Sequence, residues 1–280
     1  MAITTTVITG ATSGIGEATA FALAKKDHAL YLLVRNVEKG EELKQRIIKE
    51  TGNKNIHIIY CDLTDLATVA AAADELKSKL FNVQVLINNA GGMFNDFNLT
   101  KDGFETTFQL NHLGHFLLTK RLMPLLEKGH ARIINVSSDM HRGGKPDFET
   151  INDPQKYAAT KAYSNSKLFN VYFTKSLAGR YAGKGITSYV LHPGVVKTNF
   201  NSKLTGGLKL MFSLATPFMI SPERGAETSV YLTTSSKLAS KSGSYFVKQK
   251  LAKPAGIAND AAAREALWNL SEKMVASFDV

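Results

Sequence analysis

Two residues one helical turn apart carry the clearest chemistry in this sequence. Tyr163 and Lys167 lie in the segment Tyr163-Ser164-Asn165-Ser166-Lys167, inside a stretch with helical patterning. Residues i and i+4 share one face of a helix, so the phenol and the ammonium are predicted neighbours. A nearby cation stabilises a phenolate and lowers the pKa of a tyrosine from its usual value of about 10. The pair is therefore predicted to transfer protons, unless the spacing arose by chance.

A glycine-rich turn near the start of the chain predicts a phosphate-binding site. The segment Thr9-Gly10-Ala11-Thr12-Ser13-Gly14-Ile15-Gly16 follows a strand-like run and precedes a helical pattern. Glycines let main-chain N–H groups approach a pyrophosphate, and the N-terminus of the helix favours the anion. The alternative is a tight strand-to-helix turn that binds nothing. The residues predicted to contact a cofactor here are Gly10, Thr12, Ser13, Gly14, Ile15 and Gly16.

The end of the second predicted strand indicates which dinucleotide binds. Proteins that bind NAD carry an acidic residue there, which holds the ribose 2′-hydroxyl. This chain has Arg35 and Asn36 instead, followed by Lys39. An arginine can make a forked contact with a phosphate, which favours NADP(H) as the cofactor. The alternative is that Arg35 is only a surface cation.

A carboxylate at the end of the third predicted strand is placed to meet the adenine. Asp62 precedes Leu63 there, and its carboxylate can accept a hydrogen bond from the adenine amino group. The alternative is that Asp62 caps the next helix, a role for which Thr64 and Asp65 compete.

These residues must be positioned by a regular alternation of strands and helices. Seven short apolar runs, rich in Val and Ile, alternate with seven helical patterns. That rhythm predicts an α/β fold: a single Rossmann-type, doubly wound parallel sheet of about seven strands with helices on both faces. The predicted strands are Thr5–Thr9, Ala29–Val34, Ile56–Tyr60, Val83–Ile87, Arg132–Val136, Thr187–Leu191 and Ser244–Val247. The predicted helices are Gly14–Lys26, Val37–Glu50, Leu66–Leu80, Phe104–Lys128, Tyr157–Ala182, Pro222–Thr233 and Ala261–Phe278.

Composition indicates an ordinary globular protein of 280 residues, which we interpret as one domain spanning residues 1–280. The hydrophobic share is 44% and the charged share 21%, which excludes disordered and fibrous classes. The net charge is +10, and all of the excess lies after residue 140. This basic half is either a solvated face or a surface that attracts an anionic cofactor or an anionic membrane. Nucleic acid is not an expected partner, because no basic run alternates with aromatic residues.

Other residue types give weaker indications. Cys61 is the single cysteine, so no intramolecular disulfide can form, and a lone thiol fits a reducing compartment. His112, His115 and His141 do not have the spacing of a zinc site, and no metal is expected. Neither a secretory signal nor a membrane-spanning run is visible in the sequence. The predicted location is the cytoplasm, with peripheral attachment to membrane as a further option.

Polar or Gly/Pro motifs recur near the ends of predicted strands, and together they resemble a known family. They include Asn88-Asn89-Ala90-Gly91, Asn111-His112-Leu113-Gly114-His115-Phe116, Asn135-Val136-Ser137-Ser138 and His192-Pro193-Gly194-Val195-Val196-Lys197-Thr198. With the glycine turn and Tyr163–Leu168, this ordered set resembles the short-chain dehydrogenase/reductases. More narrowly, it resembles their retinol dehydrogenase-like branch, from Thr5 to about Phe278.

The resemblance implies a role for each matching position. Tyr163 would be the acid/base, and Lys167 would lower its pKa and hold the nicotinamide ribose. Ser138 would polarise the substrate carbonyl, with Ser137 as the competing candidate, and Asn111 would order a water in a proton relay. The remaining cofactor contacts implied by the family pattern are Asn89, Ala90, Gly91, Pro193, Gly194, Val196 and Thr198.

The resemblance also implies the reaction and the partners. The chain would be an NADP-dependent oxidoreductase that transfers a hydride between nicotinamide and a hydrophobic aldehyde, ketone or alcohol, such as a retinal-like or lipid compound. A Met- and Phe-rich segment at about 197–221 would form a substrate lid, a membrane contact or a subunit contact. A homodimer or homotetramer is expected through the long fourth and fifth helices. The alternatives are a steroid- or quinone-type carbonyl reductase and a non-catalytic NADP(H) sensor.

Overall fold

Short apolar runs form one eight-stranded sheet in the computed structural model, which describes residues 3–197 and 219–279. The spatial order of the strands is β3-β2-β1-β4-β5-β6-β7-β8, and all pairs are parallel except β7 with β8. The predicted doubly wound α/β fold is therefore confirmed. The strands are β1 Thr5–Thr9, β2 Ala29–Val34, β3 Ile56–Tyr60, β4 Val85–Asn88, β5 Arg132–Val136, β6 Thr187–His192, β7 Tyr245–Val247 and β8 Lys250–Ala252.

The eighth strand was not predicted, and its turn explains why. Val247 pairs with Lys250, so β7 and β8 are joined by the two residues Lys248 and Gln249. Both have positive φ, 49° and 63°, as a two-residue hairpin turn of the mirror-image type requires. Such turns normally carry Asn or Gly. The sequence therefore lacked the usual signal for this antiparallel edge strand.

Helices cover both faces of the sheet. They are α1 Gly14–Ala24, α2 Val37–Thr51, α3 Leu66–Lys79, α4 Thr106–Phe108, α5 Gly114–Lys128, α6 Ala159–Arg180, α7 Pro222–Thr234 and α8 Ala261–Val275. One apolar core lies between the sheet and α3, α5, α6 and α8, and includes Leu76, Leu117, Phe169 and Trp268. The other lies against α1, α2 and α7, and includes Leu23, Ile47 and Leu232. Burial of these apolar faces is the main term that holds the layers together.

One predicted helix is interrupted. The stretch predicted as a single helix over Phe104–Lys128 contains a π-helical turn, Gln109–Leu113, between α4 and α5. The Gly114 N–H bonds the Gln109 carbonyl five residues earlier, which widens the helix at this point. Hydrophobic periodicity does not report such a local insertion, because the apolar face continues on both sides of it.

The strand order fixes where a ligand can bind. The chain winds outward from β1 to β2 and β3, and then returns to start β4 on the other side of β1. The carboxyl ends of β1 and β4 therefore diverge at the switch point, where open α/β sheets bind ligands. No described helix is long and apolar enough to cross a membrane. The predicted assembly through α5 and α6 stays a prediction.

Candidate active site

The glycine turn forms a cradle that a side chain would fill. Gly10 and Gly14 adopt φ values of 67° and 56°, which favour glycine. A Cβ on Gly16 would overlap the Gly10 carbonyl oxygen and lie 2.5 Å from Asn89 Nδ2. Ser13, the N-cap residue of α1, makes no side-chain capping bond. The first N–H groups of α1 are thus left without a side-chain cap, which suits the pyrophosphate of a dinucleotide.

Residues after β4 hold this turn in place. Asn89 Nδ2 donates to the Thr9 and Gly10 carbonyls at 2.9 and 3.2 Å. The Thr9 hydroxyl accepts from the main-chain N–H groups of Asn89 and Ala90, each at 3.0 Å. A Cβ on Gly91 would lie 3.0 Å from Asn111 Oδ1 and 3.1 Å from Lys167 Nζ. The segment therefore links the phosphate cradle to the predicted catalytic residues.

The two predicted phosphate-binding cations are exposed beyond the end of β2. Arg35 and Lys39 take part in none of the ion pairs among residues 3–197 and 219–279. Asn36 caps α2 by accepting from the Lys39 N–H at 2.8 Å. This cap fixes the start of α2, so that Arg35 follows β2 directly at the sheet edge. The position fits a phosphate on the adenosine ribose.

Asp62 does not cap α3, which was the alternative to its predicted contact with the adenine. Asp65 caps α3 by accepting from the main-chain N–H groups of Ala67 and Thr68. Asp62 Oδ1 instead accepts from the Thr64 N–H at 2.9 Å and the Thr64 hydroxyl at 2.7 Å. Leu63 is buried beside Asp62. The loop after β3 is therefore tied by Asp62 itself, and that carboxylate stays half-buried at the carboxyl edge of the sheet.

Tyr163 and Lys167 lie together on α6, as their spacing predicts. Lys167 Nζ is 5.5 Å from the centroid of the Tyr163 ring and donates to the Val136 carbonyl at 3.2 Å. Both side chains are buried, with 9% and 3% exposure. The buried ammonium is held by a strand-end carbonyl, so its position relative to the phenol is fixed.

The predicted direction of the Tyr163 pKa shift was wrong. Burial raises the pKa of Tyr163 to about 12, and the hydrogen bond with the Ser138 side chain only opposes that rise. Burial also lowers the pKa of Lys167 to about 8, because the ammonium has left water. Desolvation is therefore the largest influence on the pKa of each group. The sequence shows the spacing of the pair but not its burial.

The structure distinguishes between the two serines after β5. Ser138 is half-buried, hydrogen-bonds the Tyr163 side chain and caps the following turn by accepting from the Met140 N–H at 3.2 Å. Ser137 is buried and donates to the Lys167 carbonyl at 2.7 Å. Neighbouring residues on an extended strand point in opposite directions. Ser138 therefore faces the phenol, whereas Ser137 fastens α6 to the sheet.

Asn111 lies in the π-helical turn with its side chain fully engaged. Its Oδ1 accepts from the Gly92 N–H at 2.8 Å, and its Nδ2 donates to the Gly92 carbonyl at 2.9 Å and to Ser166 Oγ at 2.8 Å. The residue has no exposed surface. The wide turn brings Asn111 against the segment after β4, beside Lys167. The Asn111 amide therefore holds the π-helical turn against the segment after β4, and its predicted part in a proton relay stays a prediction.

The segment after β6 reaches back toward the start of α1. Gly194 has a φ of 97°, and a Cβ there would lie 2.8 Å from Ile220 Cδ1. Val196 pairs with Ile220 and lies against Gly225, which Ile15 of the glycine turn also approaches. The cofactor contacts predicted for Pro193, Gly194 and Val196 stay predictions. Thr198 lies outside the described residues, as does nearly all of the predicted lid at 197–221.

Sequence reasoning did not predict the hydrogen bonds of the buried His141 and the half-buried His192. His141 Nδ1 donates to the Ser138 carbonyl at 2.7 Å, and its Nε2 accepts from the Ala255 N–H at 2.9 Å. His192 Nδ1 accepts from the Asp139 N–H at 3.2 Å. No local signal could show these bonds, because the partners lie 114 and 53 residues away. Both histidines thus hold the turn that carries Ser138.

The family model described as short chain dehydrogenase matches residues 4–208 of this chain. Retinol dehydrogenase 12 of Mus musculus is 40% identical over 268 residues, which cover 95% of this chain and 84% of that protein. Retinol dehydrogenase 13 of Homo sapiens is 38% identical over 278 residues, which cover 97% and 84%. The match extends over nearly the whole chain, including every motif described above.

Solved structures share the fold. An uncharacterised protein from Mycobacterium Paratuberculosis superposes with a TM-score of 0.79 and 31% identity, covering 98% of this chain and 93% of that one. At 22–23% identity, which shows the fold alone, two more have TM-scores of 0.68. They are the NADPH-bound carbonyl reductase from chicken fatty liver (91% and 100% covered) and the 3-ketoacyl-(acyl-carrier-protein) reductase from Brucella melitensis complexed with NADH (87% and 96%). The chain therefore belongs to the short-chain dehydrogenase family, in its retinol dehydrogenase branch.

Proposed function

We propose that this protein is an NADPH-dependent reductase of hydrophobic aldehydes or ketones. The observation that carries the proposal is the buried Tyr163 phenol, hydrogen-bonded by Ser138 and next to Lys167 at the carboxyl edge of the sheet. Membership of an oxidoreductase family supports the reaction type. The direction, the cofactor and the substrate class follow from three features of the site.

The first feature is the protonation state of Tyr163. Because burial raises the pKa of the phenol to about 12, it stays protonated at neutral pH and can act as a general acid. When bound, the nicotinamide cofactor supplies the hydride for the carbonyl carbon. Tyr163 then gives its proton to the carbonyl oxygen, and Ser138 stabilises the charge that develops on that oxygen. The product is the alcohol.

Lys167 completes the proton balance. With a pKa of about 8 it keeps its proton at neutral pH, although burial has made that proton easier to lose. The ammonium beside Tyr163 stabilises the phenolate left after proton transfer and can return a proton to it, and the neutral lysine then takes a proton from solvent. Asn111 keeps this pocket in shape through its bonds to Gly92 and Ser166.

The second feature is the choice of phosphate. Arg35 lies exposed at the end of β2, where NAD-binding proteins carry an acid, and no described acidic side chain pairs with it. A guanidinium with no competing partner suits the extra phosphate of NADP(H). The structural neighbours include one bound to NADPH and one complexed with NADH, so the preference rests on Arg35 and Lys39.

The third feature is an apolar wall beside the phenol. Met93 and Ala159 are buried against Tyr163, and Met140 and Tyr157 pack onto them. The Tyr157 hydroxyl donates to the Phe94 carbonyl at 2.7 Å. Its aromatic ring is therefore the part of Tyr157 that contributes to the apolar wall. Flexible thioethers and an aromatic ring suit a bulky apolar substrate. The relatives named as retinol dehydrogenases make a retinal-like aldehyde the first compound to try.

The test is turnover of NADPH and of NADH against a panel of aldehydes and ketones of increasing size, including retinal. The variant Tyr163→Phe should lower kcat by about 10²- to 10⁴-fold, because the general acid is lost. Tyr172→Phe is the matched control: it removes a phenol from the same helix, where the hydroxyl bonds the Ile257 carbonyl at 3.1 Å. Its kcat should stay near wild type.

Two outcomes would contradict the proposal. Retained activity in Tyr163→Phe would show that Tyr163 is not the general acid. Tight NADPH binding with no turnover of any panel member would favour the sensor alternative.

A further inference from the structure

His115 makes two hydrogen bonds that join separate parts of the site. It lies in the first turn of α5 and is 2% exposed. Its Nδ1 is 3.2 Å from the Asn111 carbonyl oxygen, and its Nε2 is 2.8 Å from the Thr9 hydroxyl. Thr9 ends β1 directly before the glycine turn, whereas Asn111 lies in the π-helical turn beside Lys167.

The partners fix the direction of both bonds. A carbonyl can only accept, so Nδ1 carries the hydrogen and donates to Asn111. A neutral imidazole has one N–H, so Nε2 accepts, and the Thr9 hydroxyl donates to it at 2.8 Å rather than to the Ile87 carbonyl at 3.5 Å. Burial lowers the pKa of His115 to about 3, with the Lys167 charge acting in the same direction, so the ring is neutral at neutral pH. His115 therefore holds two groups and transfers no proton.

Each bond orients a group that the site needs. The Thr9 hydroxyl donates to His115, so its lone pairs remain directed at the N–H groups of Asn89 and Ala90, which close the phosphate cradle. The Asn111 side chain is occupied by Gly92 and Ser166. The His115 N–H instead holds the Asn111 main-chain carbonyl, and with it the π-helical turn that places Asn111 beside Lys167.

We propose that His115 is a positioning residue that couples the phosphate cradle to the π-helical turn beside Lys167, through Thr9 on one side and the Asn111 carbonyl on the other. The inference rests on the proposed reductase function. Through this link, cofactor binding and the return of a proton from Lys167 to Tyr163 would both depend on the His115 ring. The titratable groups around it are Lys167 and His112, and Tyr163 beyond Lys167.

Two amide substitutions separate the two bonds. In His115→Asn the amide nitrogen occupies the Nδ1 position, which keeps the donor to Asn111 and removes the bond to Thr9. In His115→Gln the amide reaches the Nε2 position, which keeps an acceptor for Thr9 and removes the donor to Asn111. The readouts are the NADPH dissociation constant, the pH profile of kcat and the solvent isotope effect on kcat.

We expect opposite patterns in the two variants. His115→Asn should weaken NADPH binding by about 3- to 10-fold, the worth of one neutral hydrogen bond, with the pH profile unchanged. His115→Gln should keep NADPH affinity, lower kcat by about 3- to 10-fold and shift its pH profile, because the π-helical turn beside Lys167 loses the bond that holds it. Thr9→Val should weaken NADPH binding at least as much as His115→Asn does, because it also removes the acceptor for the Asn89 and Ala90 N–H groups, whereas Thr9→Ser should keep wild-type affinity.

His112→Asn is the matched control. His112 lies three residues before His115, is equally buried and bonds Ser271 Oγ at 2.9 Å, away from the cradle. The variant His112→Asn should lower the melting temperature without moving the pH profile of kcat.

The inference fails if both folded His115 variants keep wild-type NADPH affinity and a wild-type pH profile, or if both behave like His112→Asn. If the His115 variants do not fold, wild-type NADPH affinity in Thr9→Val would overturn it. Inactive wild-type protein would count against the proposed function instead.

Discussion

The proposed phosphate end and the proposed catalytic centre of this site are built in different ways. At the proposed phosphate end the candidate binding groups are main-chain N–H groups of the glycine turn and the exposed cations Arg35 and Lys39. At the catalytic centre the groups are the side chains of Ser138, Tyr163 and Lys167, two of them buried and both with shifted pKa values. The first depends on backbone shape and solvent-screened charge, whereas the second depends on burial. Substitutions in the two regions should therefore have different effects.

The largest effect on cofactor binding should come from filling the cradle. Gly16→Ala would place a Cβ against the Gly10 carbonyl oxygen, which is backbone and cannot move aside cheaply. We expect NADPH affinity to fall by about 100-fold, as measured by fluorescence titration. Gly179→Ala, in α6, is the control, since nothing lies within 4 Å of its Cβ. Unchanged affinity in Gly16→Ala would show that the turn does not form the cradle.

The next effect should separate the two serines at the catalytic centre. Ser138→Ala removes the hydroxyl at Tyr163 and should lower kcat by about 100-fold with little loss of stability. Ser137→Ala breaks the buried bond to the Lys167 carbonyl and should mainly lower the free energy of unfolding, by about 1–2 kcal/mol. Steady-state kinetics and denaturant unfolding of both variants measure this contrast. Equal kinetic losses would contradict the assignment of Ser138.

A smaller effect should follow from changing the exposed cation. Arg35→Gln should raise the KM for NADPH by about 10-fold and leave the KM for NADH unchanged, because only NADPH carries the extra phosphate. The melting temperature should not move, since the side chain is exposed. Lys54→Gln removes another exposed cation and serves as the control. Equal increases in both KM values would show that Arg35 does not act through the extra phosphate of NADPH.

The last prediction concerns the stability of the fold in acid, which has no effect at neutral pH. Burial lowers the pKa values of His112 and His115 to about 3 from 6.5. The unfolded chain then binds more protons between these values, so stability is complete above pH 6.5 and is lost as pH falls toward 3. Each histidine should cost about 2 kcal/mol at pH 5. Denaturant unfolding at pH 7 and pH 5 tests this, and His112→Asn should reduce the difference.

The same contrast describes how much of the site could be predicted. The glycine turn, the positions of Arg35 and Asp62, and the Tyr163–Lys167 pair were all placed by short spacings next to correctly predicted strands. The bonds of His115 to Thr9 and of His141 to Ala255 were not, because 106 and 114 residues separate the partners. Spacing along one helix or turn is local, whereas these bonds exist only after α5 and the loop after β8 pack onto the sheet.

The sequence by itself determined the order of strands and helices, the phosphate turn and the residues that meet at the carboxyl edge of the sheet. These features depend on periodicity, on glycine conformations and on offsets of a few residues, which the chain carries locally. Tertiary structure alone decided which serine faces Tyr163, where the helix before α5 widens and in which direction the pKa values of Tyr163 and Lys167 move. Those outcomes depend on desolvation and on contacts between distant segments, and packing of the layers creates both.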